Sequence, residues 1–448
     1  MVASRHGRWP GVGAIRAVTV STADLATARG LYEGFLGLRP LAEWTFGDSG
    51  SDVSALWGLR PGSRGRAVWL EAPGASAGAV RLVEFQPASG VTATDGARPY
   101  DHGLVKNLDF FTDDVEGAYA RFRAAGHDFL APPVTYPVGW GGSVLATEAH
   151  MKTPDGVKLS LARLAGAPRK AFGEAAPSAP FTEVAAATQI VADYERAVAF
   201  YRDVFDCVPA ADTVIGDPGL VAALHLPPGT RLRLCFIGPP RAVGGKVGLV
   251  AYEGEGVRDA RALAEQCRPP HRGAVILTFE ADDADHVHAR ALAHGAREVA
   301  APRDLTMPPW GSIRASSVRS PDGILHEIVQ APVDAAADYR PLFPREEVTD
   351  GTLRGARASG WGRLAVAGFG GQVFAVEDRC PHLGGPLSKG TLGGRLITCP
   401  WHGWRVDVTT GRVDGEDGLA ARVCPLRIRD GVVCAAGSKE DEAAGGGQ

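Results

Sequence analysis

The sequence has no apolar stretch near the ~20 residues that a membrane-spanning helix needs, so a membrane partner is not expected. It has no excess of one charge either. With 47 Lys and Arg against 51 Asp and Glu, a net charge of −4 gives no reason to expect nucleic acid or an anionic surface as partner. Cysteine is scarce, seven residues without framework spacing, which argues against a disulfide-stapled secreted fold. The opening MVASRHGRWPG is basic but has no apolar core behind it, so it does not read as a secretory signal. These absences point to a cytoplasmic protein, and 448 residues suit about three domains.

What the sequence does contain is a tight cluster of metal-binding residues between Cys380 and Trp404, CPHLGGPLSKGTLGGRLITCPWHGW. Two short pairs stand out, Cys380-x-His382 and Cys399-x-x-His402, each beside a proline and followed by glycine. Two thiolates and two imidazoles suit a 2Fe–2S centre with cysteines on one iron and histidines on the other. The same four donors also make a tetrahedral zinc site. CPHLGGPL followed by CPWHGW, with sixteen residues between His382 and Cys399, resembles the Rieske family and favours the iron–sulfur reading.

The resemblance implies more. The respiratory branch of that family carries an extra cysteine in each loop, where this chain has Gly385 and Trp401, so no clamping disulfide is expected. That branch also has a serine and a tyrosine where this chain has Trp404 and Val406. Fewer hydroxyl donors to sulfur stabilise the reduced cluster less, which implies a potential at the low end of the Rieske range and a ferredoxin or oxygenase relationship.

Ahead of this region lies an internal repeat. Asp24, Asp114, Asp193 and Asp283 each open an amphipathic helical pattern, with offsets of 90 within each half and 169 between halves. Alternating strands follow, and TPDG at 153–156 and SPDG at 320–323 lead into the last strands of the second and fourth units. Four strand–helix–strands units in tandem resemble the vicinal oxygen chelate family of glyoxalases, extradiol dioxygenases and bleomycin-resistance proteins. The expected fold is α+β: chelate-fold domains at 12–165 and 180–333, made of four βαβββ modules, then an all-β Rieske domain at 345–437. Alanine- and proline-rich segments at 165–180 and 331–344 read as exposed linkers.

In metal-dependent relatives a first-strand histidine or glutamine pairs with a last-strand carboxylate. Seven residues before each helix-starting aspartate stand Ala17, Asn107, Ala186 and Ile276, and none is a histidine. The last-strand positions carry Glu84, Ser160, Arg233 or Cys235, and Glu327. A metal-free cup is the preferred expectation. Mononuclear non-haem Fe(II) stays open as the alternative, with His150, His225 and His326 as substitute ligands. Strand alternation predicts that His326 points away from Glu327, while His286, His288 and His294 read as helix-surface residues. In a metal-free cup Glu84 or Glu327 is a candidate catalytic base. Trp140 and Trp310, at matching points before the PDG turns, are candidates for stacking on an aromatic substrate or for capping their own cores.

The expected activity is that of an oxidoreductase. Its Rieske cluster passes single electrons to oxygenation of a small, aromatic or other organic substrate in a cup, fed by an NAD(P)H-dependent reductase. The alternative is a ferredoxin-like carrier whose cups only bind substrate or a partner enzyme. A glyoxalase-like isomerase or lyase would leave the cluster without a task.

Overall fold

The four expected helices begin where aspartate caps them. Asp24 accepts from the backbone N–H of Ala26 and Thr27, Asp114 from Gly117, Asp193 from Arg196 and Asp283 from His286. The protein is described by a computed structural model that covers residues 12–47, 53–138, 144–240, 242–330, 339–358, 361–369, 372–415, 419–424, 426–429 and 432–436. It forms two compact units, Val12–Pro332 and Val333 onward.

In the first unit, module one comprises β1 (Val12–Thr22), α1 (Leu25–Arg29), β2 (Arg39–Phe46), β3 (Arg64–Glu71) and β4 (Ala79–Gln86). Module two comprises β5 (Leu104–Phe111), α2 (Val115–Ala124), β6 (Asp128–Phe129), β7 (Val134–Val138), β8 (Val144–Lys152) and β9 (Lys158–Leu164). Module three comprises β10 (Ala186–Ile190), α3 (Tyr194–Phe205), β11 (Val208–Ile215), α4 (Pro218–Ala223), β12 (Arg231–Gly238) and β13 (Lys246–Glu253). Module four comprises β14 (Gly273–Ala281), α5 (Ala284–Ala293), β15 (Arg297–Met307), β16 (Gly311–Arg319) and β17 (Leu325–Gln330).

The modules do not pair with their sequence neighbours. One sheet runs β15-β16-β17-β14-β1-β4-β3-β2 and joins module four to module one. The other runs β11-β12-β13-β10-β5-β9-β8-β6, with β7 on β8, and joins module three to module two. The seams are antiparallel, β1 on β14 and β5 on β10. The expected cups at 12–165 and 180–333 are therefore corrected: each sheet takes one module from each half. A repeat of constant offset is equally compatible with either pairing, so the offset could not choose between them.

The segment between the halves is packed, not an exposed linker. Arg169 is buried and donates to the carbonyls of Phe181, Ala176 and Pro177. Phe172 stacks on Phe111 at 4.2 Å, and Glu183 accepts from the backbone of Glu174 and Ala175. Of the other expected linker at 331–344, residues 331–338 lie outside the described residues, and Tyr339–Pro344 is a strand of the second unit, not a linker.

Among its described residues the second unit is built on three three-stranded antiparallel sheets. One holds Leu353–Ala358, Gly362–Phe369 and Gln372–Glu377, and its second hairpin pairs Phe369 with Gln372. Another holds Thr391–Gly393, Leu396–Thr398 and Arg405–Asp407. The third holds Tyr339–Pro344, Val432–Ala436 and Leu426–Arg429.

Candidate functional site

In the second unit, two short loops carry the four donor residues. Backbone bonds close each: Cys380 N–H donates to Gly385 O at 2.8 Å, and Cys399 N–H to Trp404 O at 2.7 Å. Cys380 and Cys399 are each 3% exposed and sit in an apolar cluster with Leu387, Ile397 and Val406. His382 and His402 lie at the surface with ring centroids 5.1 Å apart, and His382 stacks on Trp404 at 4.0 Å. A Cβ built on Gly385 would lie 2.9 Å from Cys399 Sγ and 3.0 Å from the Trp401 ring, so only glycine lets the loops approach this closely.

The donors form two pairs, buried thiols and exposed imidazoles. Among the described residues no three His, Cys, Asp or Glu converge on one ion. A 2Fe–2S cluster asks only two protein donors of each iron, so this donor set fits it. Trp404 and Val406 put a ring and a buried aliphatic chain where hydroxyl donors would stand.

In the first unit, the centre of the sheet of modules one and four is filled by an ion pair. Arg81 on β4 and Glu327 on β17 meet at 2.9 Å with neither side chain exposed. Glu327 also accepts from Trp57 Nε1 and Thr278 Oγ1, each at 2.7 Å, and Arg81 Nε donates to Thr19 Oγ1 at 2.9 Å. Arg81 pairs with Thr19 across β1 and Glu327 with Thr278 across β14, so they hold equivalent positions. A guanidinium thus stands where a second carboxylate would be needed, and this locus does not fit a mononuclear iron.

Glu84 lies three residues beyond Arg81, and strand alternation turns it to the opposite face. It accepts from Leu25 N–H at the start of α1 and pairs with Arg66 at 3.0 Å. The structure does not bring Glu84 and Glu327 together. Trp310 donates to Glu280 and packs edge-on against the buried Trp69 at 4.9 Å, the core-capping role. Trp140 lies outside the described residues.

The candidate histidines are scattered. His326 does point away from Glu327: Nε2 meets Tyr201 OH at 2.7 Å and the ring stacks on Phe279 at 5.4 Å. Burial pulls its pKa down to about 4. His225 is not in a strand; it follows α4 with φ 56° and faces Leu130 O at 3.1 Å. His150 lies on β8 beside Glu148 at 3.0 Å, and His288 is buried against Glu298, not a surface residue.

The sheet of modules two and three encloses a cavity of about 310 Å³. Its walls are largely apolar, including Phe111, Tyr136, Phe172, Ile215, Leu234 and Phe236. Asp109, Glu148 and Lys246 are among its polar groups. Asp109 is 6% exposed; Thr188 Oγ1 donates to its Oδ2 at 2.6 Å and Asn107 Nδ2 to its Oδ1. Burial raises the Asp109 carboxyl to about 7, only partly opposed by Thr188, with the charge of Glu148 adding to the rise. Burial lowers Lys106 to about 8. Sequence reasoning missed Asp109 because the ligand count stops seven residues before each helix cap, and Asp109 stands five before. A signal was present: that position holds Thr19, Thr188 and Thr278 in the other three modules.

Comparison with known proteins places both parts. Residues 14–161 and 183–328 match the Glyoxalase/Bleomycin resistance protein/Dioxygenase superfamily, and residues 339–425 match the Rieske [2Fe-2S] domain. Ferredoxin CarAc of Metapseudomonas resinovorans is 36% identical over 109 residues, 24% of this chain and 94% of that protein. The anthranilate 1,2-dioxygenase ferredoxin subunit of Burkholderia cepacia is 34% identical over 98 residues, 22% of this chain and 90% of that protein. Apoptosis-inducing factor 3 of Homo sapiens matches over 60 residues at 38% identity, 13% of this chain and a tenth of its own length. Glyoxalase I from Zea mays overlays 71% of the chain and 92% of its own, at 15% identity and TM-score 0.45. No helix among the described residues is long and apolar enough to cross a membrane. With the family match extending over more than half of its length, the chain belongs to the Glyoxalase/Bleomycin resistance protein/Dioxygenase superfamily and carries a Rieske [2Fe-2S] domain after the two matched segments.

Proposed function

We propose that this protein is an electron carrier of an oxygenase system whose modules two and three bind a small, largely apolar organic molecule. The observation that carries the reading is the paired donor set, with thiols buried and imidazoles at the surface. The cluster held there supplies single-electron transfer. Cys380 and Cys399 would hold it from their apolar pocket, and His382 and His402 would hold it from the solvent side, where a redox partner has access. The ferredoxin names of the relatives that match over nearly their whole length support the same role.

The Arg81–Glu327 pair and the residues Asn107 and Ala186 favour this carrier over a self-contained oxygenase with iron in a cup. Glu84 and Glu327 are then structural carboxylates. The electron donor is an NAD(P)H-dependent flavoprotein reductase, the acceptor is an oxygenase acting on an aromatic compound, and the setting is the cytoplasm. Buried free Cys207, Cys235 and Cys267 suit such a reducing compartment.

The test is reduction of the purified chain by NADH and a ferredoxin reductase of an aromatic-dioxygenase system, in air, with and without a Rieske oxygenase and its substrate. The reading predicts cluster bleaching on reduction and product only when the oxygenase is present. Product from the chain and reductase alone would overturn it in favour of the self-contained enzyme. A cluster that takes no electron would overturn both.

A further inference from the structure

The four modules repeat one polar position on the inner face of the first strand, five residues before the helix-capping aspartate. In modules one and four it holds Thr19 and Thr278, and both hydroxyls are engaged by the Arg81–Glu327 pair. In module three it holds Thr188, and in module two alone it holds an acid, Asp109. That acid lies in the sheet that encloses the 310 Å³ cavity, and it is one of the residues lining the space. A cavity of that size is at the lower end of the range for small-molecule sites.

Both carboxyl oxygens of Asp109 already accept bonds, one from Asn107 and one from Thr188. What remains for a ligand is the carboxyl's own O–H, which a carboxyl held near 7 still carries in slightly acidic solution. Lys246, the cationic wall residue on β13, has Nζ committed to Val243 O at 2.8 Å. Glu148 is committed to His150 at 3.0 Å.

We infer that Asp109 is the ligand-contacting polar group of this cavity, donating a hydrogen bond to an acceptor oxygen, such as a carbonyl, on an otherwise apolar, uncharged aromatic molecule. The inference rests on the proposed role of the cavity as the organic-molecule site and adds the chemistry it selects. The other charged and titratable groups around Asp109 are Lys106 on its own strand, Tyr136 on β7, Glu148 and His150 on β8, Lys158 and Arg163 on β9, Asp212 on β11 and Lys246 on β13. Glu148 is held ionised: burial works most strongly against its charge, but the hydrogen bond and charge of His150, with Tyr136 and Lys106, together outweigh it. Asp109 is therefore the group that changes charge near neutral pH and faces the cavity.

The experiment is equilibrium dialysis of the full chain against 2-acetylnaphthalene and 2-ethylnaphthalene, which share shape and differ in the carbonyl. Each is measured at about pH 6 and about pH 8, on either side of the Asp109 transition. The acetyl probe is expected to bind about fivefold or more tightly at the lower pH, as loss of one proton near 7 requires, while the ethyl probe is unchanged. Asp109→Asn should bind the acetyl probe with no pH dependence, since an amide keeps a donor at every pH. Equal pH response of the two probes in the unaltered protein overturns the inference and leaves the cavity standing. Failure of both probes to bind overturns the cavity's role as well. The unaltered chain alone decides, so a variant that misfolds does not rescue the idea.

Discussion

Arg81 and Glu327 form a salt bridge at 2.9 Å with no solvent exposure on either side chain, linking the first module to the fourth. Each carries further bonds, from Arg81 to Thr19 and to Glu327 from Trp57 and Thr278, and the Arg81 guanidinium lies 4.8 Å from the Trp57 ring. Removing one partner strands the other charge in a dry interior.

Glu327→Gln or Arg81→Met should therefore cost ~3–5 kcal/mol of unfolding free energy in urea titrations. The double variant Arg81→Met/Glu327→Leu should cost less than the two single losses combined, because no charge is left buried. Strict additivity would show that the two residues are not coupled.

Glu84 was one of the two carboxylates that the sequence offered as a candidate catalytic base, and its contacts are those of a cap. Glu84→Ala should cost ~0.5–1.5 kcal/mol by losing the bond from Leu25 N–H, with little from the half-exposed Arg66. Binding of 2-acetylnaphthalene should be unchanged; a tenfold loss would return Glu84 to the functional set.

His326 supplies a pH dependence with a definite sign. Its folded-state pKa of about 4 lies below the ordinary 6.5, so the unfolded chain binds more protons between those values and stability falls as pH drops through that window. Relative to pH 7, the unaltered protein should lose ~2 kcal/mol more than His326→Gln at about pH 4.5. Asp109, raised above its ordinary value, acts with the opposite sign in overlapping acid, so the comparison must be between variants. Identical acid sensitivity in both proteins would contradict the assignment.

Gly385 faces the second loop where there is no room for a side chain. Gly385→Ala places a methyl group against Cys399 Sγ and the Trp401 ring, and should lower cluster occupancy as read by visible absorption and sulfide content. Full occupancy in that variant would show that the loops yield easily.

Much of this was legible in the sequence for a physical reason. The candidate cluster ligands Cys380, His382, Cys399 and His402 fall in two short pairs, so local spacing is enough to propose them. Helix caps are equally local, which is why Asp24, Asp114, Asp193 and Asp283 mark the four modules correctly. Pairing of modules one with four and two with three depends on contacts between distant strands, and an evenly spaced repeat is silent about them. Arg81 escaped notice because its meaning lies in Glu327, far along the chain, and Glu84 misled because the strand face was assigned one step out of phase. Asp109 was visible only as a departure from three threonines, once the repeat was read position by position.

The central claim is that this chain carries one Rieske cluster and no second redox metal in its cups. Iron, acid-labile sulfide and other transition metals should be quantified per chain on anaerobically purified protein. Two irons and two sulfides, with no other metal near stoichiometry, is the predicted result. A third iron or stoichiometric manganese would contradict the metal-free cups, and zinc without sulfide would contradict the cluster itself.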